Sequence, residues 1–496
     1  MNLKKLAEIV SRKSISNDNE DIVFTKSQQK AVDGIIDFIA QPFLSNDFVR
    51  SISGAGGTGK TFITNYIIRH CKFSDSIIRC AAPTHKACRV LSTALKGKKV
   101  DTIQSLLGLR LNLSLENFDP VRPQFDPIGR NKLQDKTDYT RLLIVDEASM
   151  IPSKLYNYLL KVCKGKQCKV ITIGDASQLS PVNERKSIAF ANSNDIYFLK
   201  EVVRQEANNP ITDLLKIVRD DIKNKTYRFI DYLNIHPNNF NEIGEGYTVV
   251  PRNQFVNIVS REFNNPKYVN NIDLYRVIAY TNVAVSGWNN YVRNIIVKDA
   301  YKSVLTKNDL VMSYKNLVDE FNSQILINSE EYIVKDISDF IDQKYGFHGI
   351  MVKFQAIHGG KVTPPILIIN HKHRDTLIKY YKMVTDMIKS ATSEEDSYAR
   401  TKLWRKYYDF KNKYLLCTNI LDKNDVNKIV LERDIDYGFA ITAHKSQGST
   451  YENVFVDLND MLYDKNGNVY TNVDDVLRRV YVAFSRAKHS LIISHG

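Results

Sequence analysis

The chain has 496 residues, with 69 Lys and Arg against 55 Asp and Glu, for a formal net charge of +14. At 43% hydrophobic and 25% charged residues the composition is that of an ordinary globular protein, long enough for roughly two to four domains with separate cores. It holds no run of about 18 apolar residues, which excludes a membrane span, and its positive balance favours a polyanionic partner.

The amino terminus, Met1 to Leu6, lacks the apolar stretch of a signal peptide. The six cysteines (71, 80, 88, 163, 168 and 417) are scattered, which argues for free buried thiols in a cytoplasmic protein and against zinc. Residues 1–20 are polar and read as a leader or a first helix. From about 24 to 200 the pattern is α/β. Phe48–Ile52 reads as a strand, Phe62–Ile68 as a helix, and 78–83, 142–146 and 170–175 as apolar runs of a buried parallel sheet. Ligands of such sheets bind beyond the carboxyl ends of the strands.

The segment 108–138 interrupts this rhythm with Pro120, Pro123 and Pro127 and reads as an inserted hairpin. A second α/β block begins near 200, with a strand at Tyr275–Tyr280 and a helix at Val283–Val297. From 305 to 435 short alternating segments, such as 331–335 and 350–354, predict a small β-barrel. Within it, 372–415 reads as a charged, aromatic helical pair whose rings pack between helices. The α/β rhythm resumes at Gly438 and runs to the end.

Gly54-Ala55-Gly56-Gly57-Thr58-Gly59-Lys60-Thr61 fits the phosphate-binding P-loop, between a strand and a helix as that loop requires. Lys60 would reach the β- and γ-phosphates of a nucleoside triphosphate, and Thr61 would hold Mg²⁺. Asp146 and Glu147 follow an apolar strand, where Asp146 would share the Mg²⁺ and Glu147 would orient or deprotonate water. Gln178, after Gly174-Asp175, has an amide able to sense the γ-phosphate. Arg204 and Arg486, distant in sequence, are candidates to neutralise the transferring phosphoryl group.

These elements, taken in order, resemble the motifs of superfamily 1 helicases. Phe24–Gln28 looks like the Q motif, Pro83–Ala87 like motif Ia and Asp101–Leu106 like motif Ib. The P-loop, Asp146-Glu147 and Gly174–Pro181 look like motifs I to III, and Arg204-Gln205 like motif IV. Thr442–Ser449 looks like motif V and Tyr481–Ala487 like motif VI. Asp-Glu-Ala-Ser at 146–149 and His-Lys-Ser-Gln-Gly at 444–448 resemble the RecD-like branch, superfamily 1B, and the compact layout resembles its Dda-type members in T-even-type bacteriophages.

The resemblance implies two RecA-like P-loop domains, at 1–200 and at 201–304 with 436–496. It also implies a pin hairpin inserted at 108–138 and an SH3-like β-barrel at 305–435 with a helical arm at about 372–415. Gln28 would contact adenine, and Gly448 would lie at the nucleotide. Lys60, Asp146, Glu147, Gln178, Arg204 and Arg486 would form the hydrolytic site. Pro83, Thr84, His85, Lys86, Thr102, Thr442, His444 and Lys445 would line the DNA track, with Phe118 and Phe125 as candidates for the pin tip. Thr450 stands where related helicases often carry a glutamate that holds the ribose, so that contact is not carried over.

The expected activity is ATP-dependent, 5′-to-3′ unwinding by a monomer acting on single-stranded and forked DNA, in phage-type replication, recombination or repair and alongside single-stranded-DNA-binding or replication proteins. Its setting would be the cytoplasm of a phage-infected bacterium. A translocase that strips bound proteins, or a nucleotide-switched DNA-binding module, would share most of these motifs.

Overall fold

The computed structural model describes residues 23–109, 137–181, 184, 186–201, 209–319, 323–357, 359–422 and 429–496. The first unit is a six-stranded, wholly parallel sheet of β1 (Val49–Gly54), β2 (Ile78–Ala82), β3 (Val100–Thr102), β4 (Leu142–Val145), β5 (Lys169–Gly174) and β6 (Asp195–Leu199). Its spatial order is β3-β2-β4-β5-β1-β6. Helices cover both faces, so its strands read as continuous apolar runs; Leu142-Leu143-Ile144-Val145 is buried throughout. The helix Lys26–Ala40 turns Ala31, Val32, Ile35, Phe38 and Ile39 to the sheet, at the spacing of one helical face. Each such side chain, once buried, contributes about 1.5–3 kcal/mol.

In the second unit, β7 (Asn238–Phe240), β8 (Gly246–Val250) and β9 (Tyr275–Ala279) precede a long insertion. The insertion holds β10 (Leu310–Ser313), β11 (Leu317–Val318), β12 (Gln324–Leu326), β13 (Glu331–Ile341), β14 (His348–Ala356), β15 (Ile366–Ile369), β16 (Ile420–Asp422), β17 (Ile429–Leu431) and β18 (Ile435–Tyr437). Five of these form an antiparallel sheet in the order β15-β14-β13-β10-β18. Two helices, Arg374–Ser393 and Ser397–Lys413, stand out from it as an arm. The chain then re-enters the second sheet with β19 (Ala440–Thr442), β20 (Tyr451–Asp457) and β21 (Ala487–Ser494). That sheet, β19-β9-β20-β21-β8-β7, is parallel except for its edge strand β7.

The insertion and the second sheet share one core, in which Leu310, Tyr332 and Phe354 meet Phe255, Trp288 and Phe439. The sequence reading of 108–138 as a hairpin falls almost wholly outside the described residues. Among the described residues no helix is long and apolar enough to cross a membrane.

Candidate active site

Strand order brings the sequence candidates together. β1 lies beside β5, and β5 beside β4, so the P-loop, Asp175 and the Asp146-Glu147 pair leave adjacent strands at one end of the sheet. Within the loop, Gly57 and Gly59 take left-handed φ values of 77° and 83°, which glycine adopts without steric cost. At Gly59 space is equally decisive, because a Cβ would lie 2.6 Å from Nε2 of Gln28. Gln28 is buried, and its amide Nε2 donates to the Thr58 carbonyl at 3.0 Å. Its Oε1 accepts from the Thr25 N–H at 3.0 Å, closing a capping box on the helix Lys26–Ala40. The Q-motif glutamine therefore ties that helix to the phosphate loop. Lys60 donates from Nζ to the carbonyls of Gly54 (2.7 Å) and Ala55 (2.8 Å), and half-buried Thr61 follows it in the first turn of the helix Lys60–His70.

Beyond β4, the Asp146 carboxylate accepts the Glu147 N–H at 2.9 Å. Glu147 sits in the left-handed region at φ 50°, a conformation that costs a non-glycine residue about 1–2 kcal/mol and is found where a site imposes it. Burial and the Asp146 charge push the Glu147 carboxyl up to about 7, against the pull of Lys60 and Arg486. Burial raises Asp146 as well, opposed by the Glu147 N–H and Lys60. Oε2 of Glu147 and Oε1 of Gln178 are both buried with no hydrogen-bond partner within the chain. Two acceptors left open beside a phosphate loop suit a donor such as a water molecule.

The loop after β5 reaches into the second unit. Asp175 accepts from the Tyr481 hydroxyl at 2.7 Å, the Gln178 carbonyl accepts from Arg478 at 3.0 Å, and the Leu179 carbonyl accepts from Gln447 at 3.2 Å. The Leu179 side chain lies in the second unit's core. Arg486, just beyond the helix Val473–Phe484, is 7% exposed. It donates to the carbonyls of Val482 (3.0 Å) and Ser449 (3.1 Å), beside Gly448, whose φ is 71°. Burial lowers its pKa, and Glu147, Tyr481 and Asp175 support its charge. The charges of Arg486 and Glu147 thus act on each other across the junction of the two units. Arg204 lies outside the described residues.

The remaining candidates lie at or just beyond the carboxyl ends of β2, β3 and β19. The hydroxyls of Thr84, Thr102 and Thr442 each accept a backbone N–H three residues on, from Ala87, Ser105 and Lys445; Thr84 and Thr102 are helix N-caps. Pro83 lies just beyond β2 before this cap, and His444 is half-buried between Thr442 and Lys445. The inserted sheet meets the same residues. His85 lies 2.8 Å from the Gln324 amide, Lys86 pairs with Glu331 at 3.3 Å, and Lys445 donates to Asn328 (2.8 Å) and Ser329 (2.9 Å).

Glu331, 1% exposed, also lies 2.8 Å from Arg276 of β9, whose guanidinium is 4.6 Å from the Tyr451 ring centre. A buried Lys86–Glu331–Arg276 cluster thus joins the first unit, the insertion and the second sheet. Sequence reasoning missed Glu331 and Arg276, since nothing in Asn-Ser-Glu-Glu or in an apolar strand marks a charge pair. Tyr481 and Asp175 did lie inside motifs already singled out.

A phosphate loop and acidic pair on one parallel sheet, with an arginine from a second close by, have the layout of a two-unit P-loop nucleoside triphosphatase. Residues 25–236 match the model of an AAA domain, and residues 437–494 that of a UvrD-like helicase C-terminal domain. The ATP-dependent DNA helicase Dda of Enterobacteria phage T4 is 30% identical over 50% of this chain and 52% of its own length. The RecBCD enzyme subunit RecD of Buchnera aphidicola subsp. Acyrthosiphon pisum is 23% identical over 88% of this chain and 70% of its own. Protein R530 of Acanthamoeba polyphaga mimivirus is 23% identical over 95% and 99%. The chain thus carries an AAA-type and a UvrD-like helicase C-terminal match, and it is similar to helicases of the RecD-like branch, superfamily 1B.

Proposed function

We propose that this chain is an ATP-dependent 5′-to-3′ DNA helicase that moves along single-stranded DNA and opens duplex. The observation that carries the reading is the loop Asp175–Leu179, which leaves the P-loop sheet and is anchored in the second unit by Tyr481, Arg478 and Gln447. Through it, a change at the γ-phosphate is felt by the unit that carries motifs V and VI. We read the two parallel sheets as RecA-like domains, the insertion as an SH3-like barrel with its arm, and the segment 108–138 as the pin.

In this reading Lys60 cradles the β- and γ-phosphates, and Gln28 lies at the adenine end of the site. Glu147 positions the attacking water and takes up its proton, and Gln178 senses the γ-phosphate. Arg486, joined by Arg204, bears on the charge that develops on the transferred group. Mg²⁺ would be held by Thr61 and Asp146, whose hard oxygens suit it, and would neutralise charge on the phosphate oxygens. DNA would run across motifs Ia, Ib and V, bound through phosphates that carry no sequence information.

The test is Lys60→Ala. DNA-stimulated hydrolysis should be abolished while single-stranded DNA binding is largely kept, because the residues proposed for the DNA track follow other strands. Near-normal turnover would overturn the assignment of the phosphate loop.

A further inference from the structure

The helix Ser397–Lys413 carries six basic residues, Arg400, Lys402, Arg405, Lys406, Lys411 and Lys413, against one acidic residue, Asp409. The two at its root are committed to the insertion, Lys411 to Asp434 at 2.9 Å and Lys413 near Asp342 at 3.9 Å. Towards the tip, Arg400, Lys402, Arg405 and Lys406 are exposed and, among the described residues, pair with no carboxylate. At about 100° per residue, Tyr398, Lys402, Arg405 and the one acidic residue, Asp409, share an arc of about 60°, flanked by Lys406 and Tyr408, so the three cations outnumber the single carboxylate on this face. Tyr398 is 79% exposed and Tyr408 57%. Phe410 is the one buried side chain of this helix, so the outer face contributes nothing to the core.

Unneutralised cations in a row on one helix are an electrostatic footprint for a polyanion. The shape of the surface selects its form. Single strands are gripped in basic channels that offer free ring faces to successive bases. Here Trp404, Tyr407 and Tyr408 pack against one another, with ring centres 5.2–6.1 Å apart. A convex helix with its cations outward is instead what the groove and backbones of a duplex admit.

We propose that the outer face of the helix Ser397–Lys413 is a duplex-DNA contact, which holds the double-stranded part of a fork by its phosphates. The assignment rests on the helicase reading, and it adds a second DNA site to the track proposed across motifs Ia, Ib and V. Its role is grip without sequence preference: the cations meet phosphates, and the tyrosine hydroxyls donate to them.

The test measures binding of a blunt duplex of about 20 base pairs by anisotropy between about 50 and 200 mM salt. Wild type is compared with the triple variant Lys402→Ala/Arg405→Ala/Lys406→Ala. The slope of log K against log salt should fall by about 2–3, at about 0.9 for each phosphate no longer neutralised, and duplex affinity should drop at least tenfold. ATP hydrolysis stimulated by an unstructured single strand should be unchanged, which also reports that the variant is folded. Equal slopes for the two proteins would overturn the proposal. So would a matching loss of single-strand stimulation, which would place the arm on the translocated strand. Failure of any single strand to stimulate the wild type would refute the helicase reading itself, and the duplex slopes would still report on the arm.

Discussion

Arg486→Ala should lower the maximal rate of ATP hydrolysis by about 10³-fold or more, the loss seen when an arginine finger is removed. Nucleotide affinity should change by less than about tenfold, because a charge directed at the transferred group acts mainly in the transition state. Arg486 is suited to this role by its position. It is buried and fixed by the carbonyls of Val482 and Ser449, and its charge is supported first by Glu147 of the other unit. Arg486→Lys separates charge from geometry. Lysine keeps the charge but loses the planar fork, so its turnover should fall between wild type and the alanine variant. Single-turnover rates with nucleotide titration read both quantities, and an equal loss in rate and affinity would point to ground-state binding alone.

Glu331→Gln should destabilise the chain by about 3 kcal/mol or more, the scale of breaking a buried ion pair. Arg276 is fully buried. Burial works against its charge, yet Glu331, with Tyr451 and Tyr268, holds its pKa above the ordinary value. Removing the carboxylate leaves that charge with only the longer contact to Asp273, at 3.5 Å, and also releases Lys86, whose charge burial opposes and Tyr451 and Glu331 support. A lowered urea midpoint is the expected readout. Replacing the pair by apolar residues, Arg276→Met with Glu331→Leu, should recover much of the loss. A midpoint unchanged in Glu331→Gln would mean that the cluster contributes no more than a surface pair does.

The arrangement of the candidate site was largely legible in the sequence because the signals that mark it are local. Phosphate binding demands Gly57 and Gly59 at left-handed positions and a lysine beside them, and an acidic pair must end a buried strand. The strands of the first sheet were legible for the same kind of reason: Leu142–Val145 and Lys169–Gly174 are apolar runs that only a sheet covered on both faces accommodates. Contacts between distant segments were not legible. The Gln28 amide holds the P-loop by a bond to a backbone carbonyl, and no pattern of side chains marks that carbonyl. Lys86 and Lys445 read as DNA-track residues from their motifs, and each also meets the segment Asn328–Glu331, more than a hundred residues from either. The arm aromatics divide: Tyr380, Phe410 and Tyr414 pack in a core as expected, whereas Tyr398 and Tyr408 face outward, a difference set by where two helices happen to cross.

In the proposed function, nucleotide hydrolysis between the two units drives directional movement on a DNA strand. Unwinding of a duplex with a single 5′ tail, set against the same duplex with a single 3′ tail, tests it most directly. The expected result is ATP-dependent strand separation on the 5′-tailed substrate and little on the 3′-tailed one, with both abolished by Lys60→Ala. Equal unwinding of the two substrates, or separation that proceeds without ATP, would contradict it.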